Sequence, residues 1–226
     1  MRVRAVLLDA MGTLLELEPP APLLSAQLAA RGAEVGEAEA AAALRAEIAY
    51  YRAHHDEAVD AQALADLRDR CTAVLAAALP AHARAVPDLR AALLASLRFR
   101  PYPEVPGVLA ALRARGLRLV VVSNWDVSLH DVLADTGLAG AVDAALTSAE
   151  CRASKPDPAI FARALQAAGD VAPEQAVHVG DDPDADLAGA RAAGIGAVLV
   201  ARGGAVAPPG QRAIDDLTAL PALLAS

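Results

Sequence analysis

The sequence has few of the residues that mark several common classes of protein. Lysine and asparagine each occur once, at Lys155 and Asn124, and aromatic residues make up only 3% of the chain. Cys71 and Cys151 lie far apart and form no Cys-x-x-Cys pair, so we expect two reduced thiols rather than a disulfide. No apolar run approaches the roughly 18 residues that a membrane-spanning helix needs. We therefore expect a protein that does not span a membrane.

An excess of positive charge is also missing. The formal net charge of −8 argues against binding to a nucleic-acid backbone, which requires clustered cations. The first nine residues already have the pattern of a core strand, which leaves no room for a secretion signal and favours a cytoplasmic protein. With 226 residues, 55% of them hydrophobic, the chain is long enough for one large core or for a core with a smaller second domain.

Three apolar runs are each followed directly by polar residues. The run Val3–Leu8 precedes Asp9, Leu117–Val122 precedes Ser123–Asp126, and Gln175–Gly180 precedes the acidic segment Asp181–Asp186. Such runs are typical of strands buried on both faces of a parallel sheet, whose carboxyl ends share one edge. Ligands of open α/β sheets bind at that edge. A helix cap explains any one of these polar groups, and Asp184 is interpreted so, but three together favour a functional site.

After residue 100, strands and helices alternate. Further strands are predicted at Val142–Thr147 and Ile195–Ala201, and the predicted helices are Val108–Arg115, Ser128–Asp135, Ile160–Ala168, Leu187–Ala193 and a closing helix, Ala213–Ala225. This alternation predicts an α/β fold with a doubly wound, parallel, Rossmann-like sheet.

Between the first two strands the pattern is helical. Helices are predicted at Leu23–Arg31, Gly36–Arg52, Ala61–Leu79 and Pro87–Leu97. We therefore divide the chain into an α/β core, 1–15 with 101–226, and a small inserted helical bundle, 16–100. Its Pro-rich borders, Glu18–Pro22 and Pro101–Pro106, suit either hinges or stiff linkers. The polar cluster Tyr50–Asp56 is interpreted as a solvated helix end, with substrate selection as the alternative.

The single lysine lies in a turn-rich loop, ASKPDP, just before a predicted helix. Its ammonium is a compact point charge that fits where the planar guanidinium of arginine does not. In a chain in which arginine supplies every other Lys or Arg position, Lys155 is therefore a candidate functional residue.

These residues together resemble a known family. Asp9-Ala10-Met11-Gly12-Thr13, Ser123-Asn124, Lys155-Pro156 and Gly180-Asp181-Asp182 with Asp186 resemble, in order, the four motifs of the haloacid dehalogenase-like (HAD) superfamily. The insert resembles the helical cap of the subgroup that includes haloacid dehalogenases and many small-molecule phosphatases. The resemblance spans essentially the whole chain.

The resemblance implies a phosphatase acting on a small phosphorylated molecule. Asp9 would attack phosphorus and form an aspartyl-phosphate, and Lys155 would be a fixed cation between nucleophile and phosphate. Asp181, with Asp182 or Asp186, would join Asp9 in holding Mg²⁺. The candidates for binding the substrate are Ser123, the turn amides around Gly12 and Asn124, and also Thr13 and Trp125.

One position departs from the family's phosphatases. They carry a second Asp two residues after the nucleophile as general acid and base, and here that residue is Met11. The main-chain carbonyl of Met11 can still bind magnesium, but its thioether cannot transfer a proton. General acid–base catalysis contributes about 10²- to 10⁴-fold to a rate, so we expect a slow phosphatase or one limited to good leaving groups such as acyl phosphates. Asp126 and His130 are the candidates to replace the acid.

Two alternatives stay open. A dehalogenase also uses the nucleophilic Asp and lacks the second one, but it needs no metal and leaves the acids of the fourth motif unexplained. A catalytically weak scaffold that binds a phosphorylated ligand or a protein partner is favoured by Met11, and disfavoured by the joint presence of Asp9, Lys155 and Asp181. The sequence does not determine the oligomeric state.

Overall fold

The structure, a computed structural model, describes residues 2–204 and 210–225. In that part of the chain the strands are β1 (Ala5–Leu8), β2 (Leu15–Leu17), β3 (Phe99–Pro101), β4 (Arg118–Ser123), β5 (Ala144–Thr147), β6 (Ala176–Gly180), β7 (Gly196–Val200) and β8 (Ala213–Ile214). The chain divides into two compact units, Met1–Glu16 with Pro101–Ser226, and Leu17–Arg100.

The first unit is built on a six-stranded sheet with the order β5-β4-β1-β6-β7-β8, parallel throughout. The strand β1 lies between β4 and β6, and all four of its residues are fully buried. These central strands carry apolar side chains on both faces, as is typical of a parallel sheet that is flanked by helices. The predicted α/β class with a doubly wound, Rossmann-like parallel sheet is confirmed.

The second unit is helical. It contains α1 (Pro20–Ala29), α2 (Glu37–His54), α3 (Ala61–Ala78) and α4 (Leu89–Ser96). α1 begins at Pro20 rather than at the predicted Leu23, because proline is accommodated in the first helical turn, where an amide has no partner within the helix. The segments β2 and β3 pair with each other as a separate two-stranded sheet.

The helices of the first unit are α5 (Val105–Ala114), α6 (Leu129–Asp135), α7 (Ser148–Cys151), α8 (Pro158–Ala167), α9 (Gly189–Ala192) and α10 (Leu220–Leu223). For the same reason as α1, α5 begins before Pro106, three residues earlier than predicted. A π-helical turn, Pro183–Ala188, precedes α9, where the sequence predicts one regular helix from Leu187.

The prediction of one closing helix over Ala213–Ala225 is wrong. The segment starts as β8, whose Ile214 is buried and pairs with Val200. The carboxylate of Asp216 then accepts a hydrogen bond from the amide of Thr218 and starts a short 3₁₀ turn before α10. Cys71 and Cys151 are both buried, and within the described part of the chain neither forms a disulfide. Over the described ranges, every helix is too short or too polar to cross a membrane.

Candidate active site

The register of the sheet brings three polar strand ends together. Leu8, the last residue of β1, pairs with Val121 of β4 and with Val179 of β6. The next residue, Asp9, therefore lies between the end of β4 and the end of β6. This is the edge at which ligands bind in open α/β sheets.

Asp9 is the centre of this cluster. Its side chain is buried, and its Oδ1 accepts hydrogen bonds from the Ser123 hydroxyl (3.0 Å) and the Lys155 ammonium (2.6 Å). Burial raises the pKa of Asp9 to about 6, because the cost of desolvating the carboxylate outweighs the attraction of Lys155. Oδ1 already accepts two hydrogen bonds, so Oδ2 is the oxygen of Asp9 that is better able to contact a substrate.

Lys155 is a buried cation between two carboxylates. Its Nζ lies 2.6 Å from Oδ1 of Asp9 and 2.6 Å from Oδ1 of Asp186. Burial by itself lowers the pKa of an ammonium, but the two carboxylates raise the pKa of Lys155 above its ordinary value. Asn124 fixes the main chain of Lys155 with a reciprocal pair of bonds, Nδ2 to the carbonyl (2.9 Å) and the amide to Oδ1 (2.8 Å).

His178, which the sequence reasoning missed, holds the second carboxylate. It lies in β6 with no exposed surface, and its Nε2 is 2.8 Å from Oδ1 of Asp186. Oδ2 of Asp186 accepts the amide of Asp182 (3.0 Å). Burial alone raises the pKa of a carboxyl, but Lys155 and His178 hold the pKa of Asp186 well below its usual range. A histidine inside the apolar run AVHVG is the signal that was available in the sequence.

Three carboxylates come close enough to hold one metal ion. Ligand oxygens of Asp9, Asp181 and Asp186 lie within 4.8 Å of one another. The two neighbouring glycines make this approach possible: a Cβ on Gly12 would overlap the carboxylate of Asp181, and a Cβ on Gly180 would overlap that of Asp186. An all-oxygen, acidic set is the ligand chemistry that Mg²⁺ prefers, so the residues present fit this ion.

Other predicted residues occupy different places. Asp182 lies outside the three-carboxylate group, and its Oδ1 caps the π-helical turn by accepting the amides of Asp184 (2.8 Å) and Ala185 (2.9 Å). The Gly12 amide donates to the Leu15 carbonyl, at 2.8 Å, and so is already occupied.

Thr13 and Trp125 are both buried. The Thr13 hydroxyl has no hydrogen-bond partner among the described residues. The indole N–H of Trp125 donates to the Ser128 hydroxyl (3.4 Å), and its amide donates to Ser148 (3.1 Å). The indole N–H is therefore bonded to its own loop.

The two candidates to replace the missing acid are engaged elsewhere. The buried carboxylate of Asp126 accepts the amide of Ser128 (2.7 Å), and His130 pairs with Glu150 (2.9 Å). In the helical unit, the polar cluster around Tyr50 is internally paired: Tyr50 stacks on His54, and Arg70 bonds the Tyr50 hydroxyl (3.2 Å) and Glu57 (2.6 Å).

The buried group Asp–Lys–Asp lies at the carboxyl edge of a parallel sheet. Comparison of the whole chain with known proteins finds a family that agrees with this arrangement. The sequence profile of the family described as "haloacid dehalogenase-like hydrolase" matches residues 3–194. The chain belongs to this family.

Individual relatives match this hydrolase over only part of its sequence. A phosphoserine phosphatase of Thermus thermophilus is 44% identical over 121 residues, which cover 53% of this chain and 47% of that protein. The match covers between 37% and 47% of the length of the first curated relatives.

Solved structures match the chain over nearly its full length. A HAD phosphatase from Thermococcus onnurineus has 26% sequence identity and a TM-score of 0.67, covering 98% of both chains. A 2-haloacid dehalogenase from Pseudomonas syringae pv. tomato has 26% identity and a TM-score of 0.69, covering 99% of this hydrolase and 98% of the dehalogenase. The same fold and a similar level of identity are therefore found with both kinds of enzyme.

Proposed function

We propose that this HAD-like hydrolase is a Mg²⁺-dependent phosphatase that acts on a small phosphorylated metabolite through an aspartyl-phosphate on Asp9. The observation that carries the proposal is the group of three carboxylates, Asp9, Asp181 and Asp186, around the buried ammonium of Lys155. The similarity to a phosphoserine phosphatase and to a HAD phosphatase supports it.

The reaction we propose has two steps at Asp9. In the first, Oδ2 of Asp9 attacks phosphorus, an Oδ2–P bond forms, and the bond from phosphorus to the leaving oxygen breaks. In the second, water attacks phosphorus, the Oδ2–P bond breaks to restore the Asp9 carboxylate, and inorganic phosphate leaves carrying both protons of the water. The Ser123 hydroxyl, which donates to Asp9 in this structure, turns to donate to a phosphate oxygen.

Repulsion between a carboxylate and a phosphate dianion is the main barrier that the site must lower. Lys155 supplies one fixed positive charge, held in place by Asp186 and by the Asn124 clamp on its main chain. Asp9, Asp181 and Asp186, with the main-chain carbonyl of Met11, would hold Mg²⁺. When bound, this ion supplies further positive charge next to the phosphate.

Met11 limits the range of substrates. Because its side chain cannot protonate a leaving group, and because Asp126 and His130 are bonded elsewhere, we propose that acyl phosphates and other substrates with good leaving groups are preferred. We also propose that the helical unit Leu17–Arg100 is a cap that selects the substrate, in a cytoplasmic enzyme.

A second candidate is a 2-haloacid dehalogenase that uses Asp9 without metal. It is favoured by Met11, since a halide leaves without a proton, and by the similarity to a solved dehalogenase. It gives no role to the carboxylate of Asp181, which the glycine at position 12 admits next to Asp9. The phosphatase accounts for all three carboxylates and is therefore our first choice.

The test is product release by the wild-type protein. Acetyl phosphate and p-nitrophenyl phosphate are supplied with Mg²⁺ or with EDTA, and chloroacetate is supplied with EDTA. We expect Mg²⁺-dependent phosphate release, faster from acetyl phosphate, and no chloride release. Chloride release in EDTA without phosphate release in Mg²⁺ would establish the dehalogenase. Ligand-induced thermal stabilisation without any turnover would indicate a binding protein.

A further inference from the structure

Arg202 reaches back to the loop that follows the nucleophile. It lies just after β7, and its Nε donates to the carbonyl of Gly12 (3.0 Å) while its Nη2 donates to the carbonyl of Thr13 (2.8 Å). These residues are about 190 positions apart in the sequence. One guanidinium thus fixes two successive peptide groups, three and four residues after Asp9.

The guanidinium is itself held on two sides. Nη2 also donates to Oε1 of Glu104 (2.7 Å), the residue just before α5, and the central carbon of the guanidinium lies 3.5 Å from the centroid of the Tyr102 ring. The side chains of Arg202 and Glu104 are only 19% and 15% exposed. A planar, forked cation on an aromatic face is an arrangement that arginine provides and lysine does not.

The loop that Arg202 holds lies directly against a candidate metal ligand, Asp181. Gly12 has a φ of +80°, and the space that a Cβ would take there is filled by the carboxylate of Asp181. The position of the Gly12 backbone therefore sets the space that is open to the Asp181 carboxylate. Arg202 contacts the carbonyl of the same glycine.

We propose that Arg202 is a positioning residue whose guanidinium holds the Gly12–Thr13 backbone so that Asp181 and Asp9 present their carboxylates to one divalent cation. This inference rests on the proposed function only in the identity of the cation. Arg202 does not touch the reacting atoms, so its effect passes through the loop. Outer groups that orient metal ligands typically contribute about 10- to 100-fold to metal affinity or activity.

The test compares Arg202→Lys with Arg115→Lys. Arg115 is a matched control because its guanidinium also donates to two main-chain carbonyls of the same unit, those of Pro221 and Leu224. Two measurements need no turnover: the Mg²⁺ dissociation constant by calorimetry, and amide hydrogen exchange of the peptide that contains Met11–Thr13. A third is the separate determination of kcat and KM for acetyl phosphate.

We expect Arg202→Lys to weaken Mg²⁺ binding about 10- to 100-fold, to speed exchange in the loop peptide, and to lower kcat more than it changes KM. Arg115→Lys should leave all three at the wild-type values. Loop exchange or Mg²⁺ affinity in Arg202→Lys equal to that of Arg115→Lys would overturn the proposal. If Arg202→Lys does not fold, Glu104→Gln, which keeps an acceptor but removes the charge, is measured in its place with the same criteria.

Failure of this proposal and failure of the proposed function give different results. A wild-type protein that binds Mg²⁺ but releases no phosphate removes the phosphatase, while the affinities of the two variants still decide the role of Arg202. A wild-type protein that binds no Mg²⁺ overturns the part of the proposal that concerns the cation.

Discussion

Lys155 and its two carboxylates set the chemistry of the site at the scale of single residues. Asp9 and Asp186 each approach the ammonium to 2.6 Å, and all three side chains are buried. One cation between two anions leaves a net negative charge. That charge suits the divalent cation that we propose for this site. Removal of Lys155 would be costly, because two unscreened carboxylates would then face each other.

Exchange of the single lysine tests whether its shape matters as well as its charge. In Lys155→Arg the guanidinium does not fit between Asp9 and Asp186, so we expect kcat for acetyl phosphate to fall by about 10²-fold or more. The measurement is steady-state phosphate release. Arg45→Lys, at an exposed position of α2, is the control and should retain full activity. Wild-type kcat in Lys155→Arg would show that charge alone suffices.

Installing the missing acid tests the interpretation of Met11. We expect Met11→Asp to raise kcat/KM for an alkyl phosphate by about 10²- to 10⁴-fold, because the alkoxide leaving group needs a proton. The rate with acetyl phosphate should change little. Met11→Leu controls for loss of the thioether. Equal effects on both substrates, or no gain on the alkyl phosphate, would contradict the assignment of Met11 as the reason for a restricted leaving group.

Single residues also show what the sequence could and could not predict. Asp9, Ser123, Asn124 and Lys155 were identifiable because they are rare residue types or follow apolar runs directly. His178 and Arg202 were not identified, since the partner of His178 is set by the π-helical turn and that of Arg202 lies about 190 residues away. The sequence also did not reveal that Asp182 caps that turn while Asp186 holds Lys155.

At the scale of elements, the π-helical turn Pro183–Ala188 directs Asp186 toward Lys155. The amide of Leu187 reaches the carbonyl of Asp182 (3.3 Å), a spacing of five residues that widens the turn. The Asp182 side chain closes its amino end with two hydrogen bonds. Within the acidic segment, Asp182 thus caps the turn and Asp186 bonds Lys155.

Substitution of Asp182 tests this separation. Asp182→Ala should lower the free energy of unfolding by about 0.5–2 kcal/mol, because two amides lose their acceptor. Asp182→Asn keeps an acceptor at Oδ1 and should retain both stability and Mg²⁺ affinity. Thermal and chemical unfolding give the first quantity and calorimetry the second. A large loss of Mg²⁺ affinity in Asp182→Asn would instead make Asp182 a metal ligand.

The burial of Glu47, in α2 where it packs against α3, leads us to expect a pH effect on stability. Glu47 is 4% exposed in α2, and burial raises its pKa above the ordinary value, more than its hydrogen bond with Cys71 lowers it. Between the unfolded and the folded pKa of Glu47, the folded state therefore holds a proton that the unfolded state releases. Its contribution to stability is complete below the unfolded pKa and is lost as the pH rises through the folded pKa.

Replacing Glu47 by Gln removes this titration. We expect the Tm of Glu47→Gln, relative to the wild type, to be higher at pH 8 than at pH 5, because ionisation of the buried carboxyl becomes more favourable as the pH rises and lowers the stability of the wild type. Glu37→Gln, at an exposed position of the same helix, should show the same Tm difference at both pH values. A Tm difference for Glu47→Gln that does not vary with pH would refute the effect.

At the scale of the whole molecule, the parallel sheet was predictable because its central strands are apolar runs bounded by polar residues. Errors arose where the pattern is weak. The sequence pattern predicts helices that begin only after Pro20 and Pro106, whereas both prolines lie in first helical turns. The tail is rich in Ala and Leu and has no hydrophobic period that distinguishes a strand from a helix. The sequence therefore does not predict β8. The division at residues 16 and 100 follows the change from strand to helix pattern.

In our account the two compact units have separate roles. Every residue that we assign to phosphate chemistry lies in the unit that contains the sheet. We propose that substrate choice belongs to the helical unit. The sequence offers no code for that choice, because it depends on side chains whose partners are set only in the folded protein.

The most direct measurement is phosphate release from acetyl phosphate by the wild type and by Asp9→Asn, each with saturating Mg²⁺ and with EDTA. Asp9→Asn keeps the shape of the side chain and removes the nucleophilic charge, and Asp135→Asn, at an exposed position at the end of α6, is the control. We predict turnover in the wild type and in the control that requires Mg²⁺, and none in Asp9→Asn. Turnover by Asp9→Asn at the wild-type rate, or wild-type turnover unaffected by EDTA, would contradict the account.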